Sequence, residues 1–336
     1  MSIPRIAVTL GDPAGIGSEI AFKAANSLSV QRVCRPVIFG DRGQFPKGQS
    51  AVLLLNSAII NGKFPNGNLP FDCVETSNLG KISIGNPSRR AGIAACKAID
   101  AAVKFCLKNK TALVTAPVSK ESFNLAGAKF AGHTEMLASL TKSKEAAMLM
   151  ACGNICSVMV TRHIALSKVS KELTAGKIVN TVNLAVKFLS DISGKSGVFA
   201  KKSKTLKVAL CALNPHAGDN GILGKEENDI IFPAYKILKK TLNISKPFPA
   251  DAAWLKTKNG EYDLICCMYH DQTMIPLKCI DAQKIVNVTA GLPFVRTSPG
   301  HGVAFDIAGK NKADPSAMIE AILYAVNSYA AKRLGS

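Results

Sequence analysis

Aromatic residues are scarce in this chain of 336 residues: they make up 6%, with one Trp and five Tyr. Acidic residues are few as well, 23 Asp and Glu against 42 Lys and Arg, which leaves a formal net charge of +19. So basic a chain raises the question of nucleic acid, but a nucleic-acid surface needs a basic stripe with aromatics on which bases can stack. Here the lysines are dispersed, with only small clusters such as Lys201, Lys202, Lys204 and Lys207. The excess is read as solvated lysine-rich faces that also attract anionic substrates. No nucleic-acid partner is expected.

Long apolar runs are also missing. None approaches the roughly 18 residues of a membrane span, so no membrane partner is expected. The opening MSIPRIAVTLGDPAG has neither a charged-then-apolar leader nor a small-residue cleavage site, and the expected location is cytoplasmic. The ten cysteines show no zinc-finger spacing. Several sit in apolar runs (MLMACGNICSVMV, LICCMY), as reduced, buried thiols would. Neither G-x-G-x-x-G nor G-x-x-x-x-G-K-[ST] occurs where Gly11-Asp12-Pro13-Ala14-Gly15-Ile16-Gly17-Ser18-Glu19 follows the first strand, so a Rossmann or P-loop assignment fails on spacing. There is no internal repeat. The Gly/Lys/Ser-rich segment Gly194 to Lys204 reads as a surface loop.

At 47% hydrophobic, the chain can bury a sizeable core, and its length suits two lobes. Strand-like runs at Ile6 to Leu10, Val37 to Gly40, Ala112 to Thr115, Val208 to Leu213 and Leu264 to Tyr269 alternate with helical patterns such as Ala91 to Leu107. That alternation predicts an α/β protein with mainly parallel sheets, whose ligands collect beyond the carboxyl ends of strands. Four of the five histidines, His163, His216, His270 and His301, fall at or just after such runs.

Four constellations carry candidate chemistry. The Gly11-to-Glu19 turn is either a tight strand-to-helix connection or a wall of the cleft, with Asp12 hydrogen-bonding a neighbouring loop. Second, His163, His216 and His270, gathered from separate strand ends, would make a divalent-metal site with open positions for substrate oxygens. Asp251 and Asp271 are candidates to orient those rings. Third, His133 and Thr134 in GHTE begin a helix whose free N–H groups favour an anion, unless Thr134 is a plain N-cap. Fourth, Lys278 either snorkels to the surface or reaches into the cleft, while Asn287 and Arg296 suit a phosphate or carboxylate. The glycine-rich run NVTAGLPFVRTSPGHGVAFDIAGK, Asn287 to Lys310, offers Arg296 and His301 on a loop to a phosphorylated ligand.

Six blocks, TLGDPAGIGSEI, VTAPVSKESF, GHTEMLA, LNPHAGDNG, MYHDQTMIPLK and NVTAGLPFVRTSPGHGVAFDIAGK, span nearly the whole chain in order. Together they resemble the 4-hydroxythreonine-4-phosphate dehydrogenase family of pyridoxal phosphate synthesis. The resemblance implies an isocitrate/isopropylmalate dehydrogenase-like fold: two α/β/α lobes with mainly parallel sheets around a central cleft. The first lobe is expected over 1–130 plus 288–336, including the cofactor loop, and the second over 131–287. It also implies a homodimer contributing to each site. The family's metal ligands match His163, His216 and His270, and its substrate contacts match His133, Thr134, Lys278, Asn287 and Arg296. The cofactor, NAD or NADP, is expected near His301 and Asp306. The chain departs from the family at Val303 and Ala252, where Thr is usual.

The implied reaction is oxidation of a small phosphorylated amino acid, 4-phosphooxy-L-threonine, at C3, followed by decarboxylation. A divalent metal (zinc, magnesium or cobalt) chelates the reacting hydroxyl, and Lys278, Asp251 and Asp271 are the candidate catalytic groups. Two other readings remain. One is a paralogue oxidising another phosphorylated hydroxy acid, such as erythronate or threonate 4-phosphate. The other is a non-redox metal- and phosphate-binding protein or acyl transferase of similar fold.

Overall fold

The computed structural model describes residues 3–46, 52–64, 70–130, 132–193 and 205–334. The Gly194-to-Lys204 segment, with Lys201, Lys202 and Lys204, lies outside them. Two compact units result, Met1–Glu145 with Leu292–Ala330, and Ala146–Gly291 with Ala331–Ser336. Residues 131–145, expected in the second lobe, belong to the first unit. The reason is packing: Met136 and Leu137 of helix His133–Leu140 join the core built on helix Arg89–Asn109.

In the first unit, six parallel strands run in the order β3-β4-β2-β1-β5-β12. They are β1 (Arg5–Thr9), β2 (Arg35–Asp41), β3 (Val52–Leu54), β4 (Asp72–Ser77), β5 (Leu113–Thr115) and β12 (Arg296–Pro299). The central strands are buried along almost their whole length, as parallel strands covered on both faces must be. Helix Arg89–Asn109 is alanine-rich on its buried face, is capped by the Ser88 hydroxyl accepting from Ala91 N–H at 3.2 Å, and stops where Lys110 turns to φ 49°. Phe39, Phe105, Phe123, Leu113 and Leu137 form the centre of this core.

The second unit is mixed. Its strands are β6 (Ala147–Cys152), β7 (Ile155–Met159), β8 (Lys207–Leu210), β9 (Asn243–Ile244), β10 (Leu264–Cys267) and β11 (Ile285–Ala290), in the order β11-β6-β7-β10-β8-β9. β6 is antiparallel to both β11 and β7, and the remaining pairs are parallel. A two-residue turn, Gly153-Asn154, joins β6 to β7, with Gly153 at φ 57°. Met148, Ile155, Ile265, Trp254, Met274 and Leu277 share the core.

The ten cysteines are all free, buried except for half-buried Cys96 and exposed Cys279. Burial pushes the thiols of Cys34 and Cys156 up to about 12, which leaves them unreactive. Among the described residues no helix is long and apolar enough to cross a membrane.

Candidate functional site

In the second unit, β7, β10 and β8 are adjacent and parallel, so their carboxyl ends share one edge. His163 follows β7, His270 follows β10 and His216 follows β8. The rings of His163 and His270 stand 5.7 Å apart, centroid to centroid, at an angle of 47°. His216 extends from the strand on the other side of β10, on an exposed turn whose residues 216–220 all have positive φ. No group of three His, Cys, Asp or Glu stands together as a metal cage among the described residues. Of the three histidines expected to gather, two are in contact.

His270 opens helix His270–Asp281, and its Nδ1 lies 2.9 Å from Asp271 Oδ1. A carboxylate can only accept, so Nδ1 is the donor of this bond, and in the neutral ring the lone pair lies on Nε2. Asp251, the second residue of helix Ala250–Lys258, is exposed and shows no comparable bond to a histidine among the described residues.

Pro276 sits inside the His270 helix. It lacks the N–H that would reach the Gln272 carbonyl, and Trp254 Nε1 donates to that carbonyl instead, at 2.7 Å. Gln272 in turn accepts from Met268 N–H at 2.7 Å and donates to Ala212 O at 2.8 Å, tying β10 to the end of β8. Lys278, two turns beyond His270, is exposed and lies about 80° round the helix from it, on the flank of Asp271. Asn287 is a mid-strand residue of β11, half-buried, with a buried Oδ1 that finds no hydrogen-bond partner among the described residues.

The first unit holds the other cluster. Arg296 is not on a loop: it is the first residue of β12 and only 2% exposed. Its Nη2 donates to Thr115 Oγ1 at 2.6 Å, at the end of β5. Burial pulls its pKa down to about 10, against the opposing pull of Glu135, so the guanidinium stays charged. His133 starts helix His133–Leu140 and meets the Phe123 ring edge-on at 6.3 Å. Burial first, and then the Arg296 charge, holds its pKa well below the usual histidine value. The ring is therefore neutral at neutral pH, and its buried Nε2 has no hydrogen-bond partner among the described residues. Gly132 is the N-cap, so buried Thr134 is the second residue of the helix, with its backbone N–H among the free first-turn donors. A buried cation, a neutral imidazole and a helix N-terminus together form a donor set for a phosphate.

The Gly11-to-Glu19 turn serves as a seat for other loops. Gly11, at φ 68°, presses so close to Pro117 that a Cβ would run into its carbonyl. Asp12 N–H donates to that carbonyl at 2.9 Å, and its side chain accepts from Ala14 N–H at 2.9 Å. Burial raises the Asp12 pKa, opposed by the Ser122 hydroxyl and the N–H groups of Ala14 and Ser119.

Ile16 N–H donates to Val303 O at 3.0 Å, and a Cβ on Gly15 would come within 2.8 Å of the same oxygen. Further along, Glu19 Oε1 accepts from Ala313 N–H at 2.7 Å, while Lys23 reaches Ala313 O at 2.9 Å and Glu19 at 2.8 Å. These bonds pin both ends of the run after β12. Within that run, His301 and Asp306 are exposed; His301 Nδ1 lies 3.0 Å from Gly302 O, and the Asp306 carbonyl accepts from Lys310 at 2.7 Å.

Thr115, Glu135, Glu19 and Lys23 are site residues that the motifs alone do not mark. Thr115 and Glu135 lie within VTAPVSKESF and GHTEMLA, and the Glu19–Lys23 pair carries only the ordinary i,i+4 helix signal.

Residues 32–325 match the family described as "Pyridoxal phosphate biosynthetic protein PdxA". A 4-hydroxythreonine-4-phosphate dehydrogenase from Sulfurihydrogenibium sp. is 38% identical over 333 residues, 96% of this chain and 97% of that one. A D-threonate 4-phosphate dehydrogenase from Cupriavidus necator is 36% identical over 332 residues, 95% of this chain and 96% of its own length. The crystal structure of 4-hydroxythreonine-4-phosphate dehydrogenase from Klebsiella pneumoniae superposes with a TM-score of 0.82 at 31% identity, covering 98% of this chain and 100% of that one.

Proposed function

The chain belongs to the pyridoxal phosphate biosynthetic PdxA family and is a dehydrogenase acting on a CH–OH group, and from that premise we propose its substrate, its cofactors and its residue roles. The substrate is 4-phosphooxy-L-threonine. Oxidation at C3 by NAD or NADP gives 2-amino-3-oxo-4-phosphooxybutanoate, the reduced nicotinamide and a proton; loss of CO2 then gives 3-amino-2-oxopropyl phosphate. The observation that carries this reading is the arrangement of β7, β10 and β8, whose shared edge is followed by His163, His270 and His216.

The donor set fits a divalent ion. Asp271 leaves the His270 Nε2 lone pair free, and neutral imidazoles suit zinc, cobalt and, with substrate oxygens, magnesium. His163, His216 and His270 would hold such an ion, which would supply Lewis acidity at the reacting hydroxyl, while a bound nicotinamide would supply the two-electron oxidant. The chain's own residues do the remainder. In the first unit, Arg296, His133 and the Thr134 N–H bind the phosphate, and the Val303-to-Lys310 run with His301 and Asp306 receives the dinucleotide. In the second unit, Asn287 contacts substrate, Asp271 orients His270, and Lys278, with Asp251 and Asp271, takes part in proton transfer. The active species is a cytoplasmic homodimer.

A second substrate, D-threonate 4-phosphate, is favoured by the 36% identity to the Cupriavidus necator enzyme. The two candidates share the phosphate and the C3 hydroxyl and differ at C2, amine against hydroxyl. Comparing kcat/KM for both, with NAD and with NADP, decides. The account expects a preference for 4-phosphooxy-L-threonine of tenfold or more, about 1.4 kcal/mol. The reverse preference assigns the chain to the second activity.

A further inference from the structure

The turn that carries His216 runs against the handedness of L-residues. His216 (φ 53°), Ala217 (56°), Asp219 (43°) and Asn220 (57°) all occupy the left-handed region around Gly218 (77°). Such a conformation persists where surrounding groups over-determine it. Leu223 N–H donates to Gly218 O at 3.0 Å, and Glu226 accepts from Asn214 Nδ2 at 2.9 Å. One buried carboxylate touches both the turn and the segment before it. Glu227 is 2% exposed. Its Oε1 accepts from the backbone N–H groups of Leu213 and Asn214, both at 2.8 Å, and its Oε2 accepts from Asn214 Nδ2 at 2.9 Å. On the other side Gly218 presses against the same carboxylate, where a Cβ would stand 2.5 Å from Oε2. Glu227 also begins a π-helical turn, Glu227–Ile231, leading into helix Phe232–Leu238. Single π-helical turns recur at functional sites.

We propose that Glu227 is the positioning residue of His216: it clamps the Leu213-Asn214 segment that follows β8 on one side and the left-handed turn on the other, and so fixes where the His216 imidazole projects. The proposal rests on the reading that His216 holds a divalent metal. Every group bonded to the Glu227 side chain is an N–H donor, so an amide at this position would set its own NH2 against one of them. The carboxylate is therefore required for its acceptor pattern as well as its shape. Glu227 touches neither substrate nor metal in this account; it acts through His216.

The test is a titration of the metal-free 336-residue chain with Co2+ against a chromophoric chelator, for wild type, His216→Ala and Glu227→Gln. Melting temperatures are measured with and without Co2+. Glu227→Gln is expected to bind Co2+ about 10- to 100-fold more weakly than wild type, in the range of groups that orient metal ligands, and to lose most of the metal-induced rise in melting temperature. A Glu227 that serves the fold alone would lower both melting temperatures equally and leave the Co2+ affinity at its wild-type value; that result overturns the proposal. If His216→Ala binds Co2+ as wild type does, or wild type binds none, the metal reading itself fails and the proposal with it. Should Glu227→Gln not fold, Glu227→Asp carries the same comparison, because it keeps the charge while drawing the carboxylate back by one methylene.

Discussion

Arg296 Nη2 donates to Thr115 Oγ1 at 2.6 Å, which joins the start of β12 to the end of β5. The guanidinium is thereby fixed inside the first unit rather than left to swing on a loop. A bidentate fork so held suits phosphate, and a lysine ammonium cannot reproduce it. Arg296→Lys is expected to lower kcat/KM for the phosphorylated substrate by about 100-fold, the loss of two to three kcal/mol for charge-assisted bonds. Thr115→Val, which removes only the aligning hydroxyl, should cost about tenfold, mostly in KM. Steady-state kinetics with varied phosphorylated substrate reads both.

His133 makes the folded chain sensitive to mild acid. Its pKa is held below the ordinary 6.5 by burial and by the nearby Arg296 charge. The unfolded chain therefore binds a proton at this residue that the folded chain refuses. The stability this confers is complete above 6.5 and is lost as pH falls towards the folded value. Urea midpoints measured from pH 7.5 downwards should fall more steeply below 6.5 for wild type than for His133→Gln. Parallel curves would remove His133 from the account.

If the Val303-to-Lys310 run receives the cofactor as proposed, cofactor affinity should depend on a pair of side chains outside it. Lys23 and Glu19 hold Ala313 through its carbonyl and its N–H, at 2.9 and 2.7 Å. Lys23→Met is expected to raise KM for the nicotinamide cofactor about three- to tenfold, the worth of roughly one hydrogen bond. KM for the phosphorylated substrate should stay unchanged. An equal rise in both constants would mean a general loosening of the unit.

Gly92 tests the packing of the first unit with a sign opposite to propensity. In a helix interior Gly→Ala usually stabilises by about 1 kcal/mol. Here a Cβ would run into the Ser122 carbonyl and approach the Ala126 methyl at 2.8 Å. Gly92→Ala should therefore destabilise by about 1–3 kcal/mol, read from chemical denaturation. A stabilised variant would contradict the close approach of helices Arg89–Asn109 and Lys120–Leu125.

Much of this was legible in the sequence. Strands β1, β2, β5, β8 and β10 and the long helix were visible as apolar runs and alanine spacing, because buried parallel strands leave an uninterrupted apolar signature. The placement of histidines just beyond strands was visible for the same reason. The run from Asn287 to Lys310 read as one loop because its glycines and prolines hid two strands, β11 and β12, the second of which opens on Arg296. Thr134 matched an N-cap pattern, yet Gly132 caps the helix and Thr134 lies within it. The clamp at Glu227 left no local signal, since its bonds run to residues a dozen or more positions earlier. Likewise, the pairing of His163 with His270 depends on β7 lying beside β10, a relationship set by tertiary structure.

The most direct test of the central claim is the initial rate of nicotinamide reduction on 4-phosphooxy-L-threonine, measured before chelation, after dialysis against a chelator, and after a divalent metal is restored. The account predicts turnover that collapses on chelation and returns with the metal, with His216→Ala inactive at the metal concentration that restores wild type. Full turnover by the chelated chain, or by His216→Ala, would contradict it.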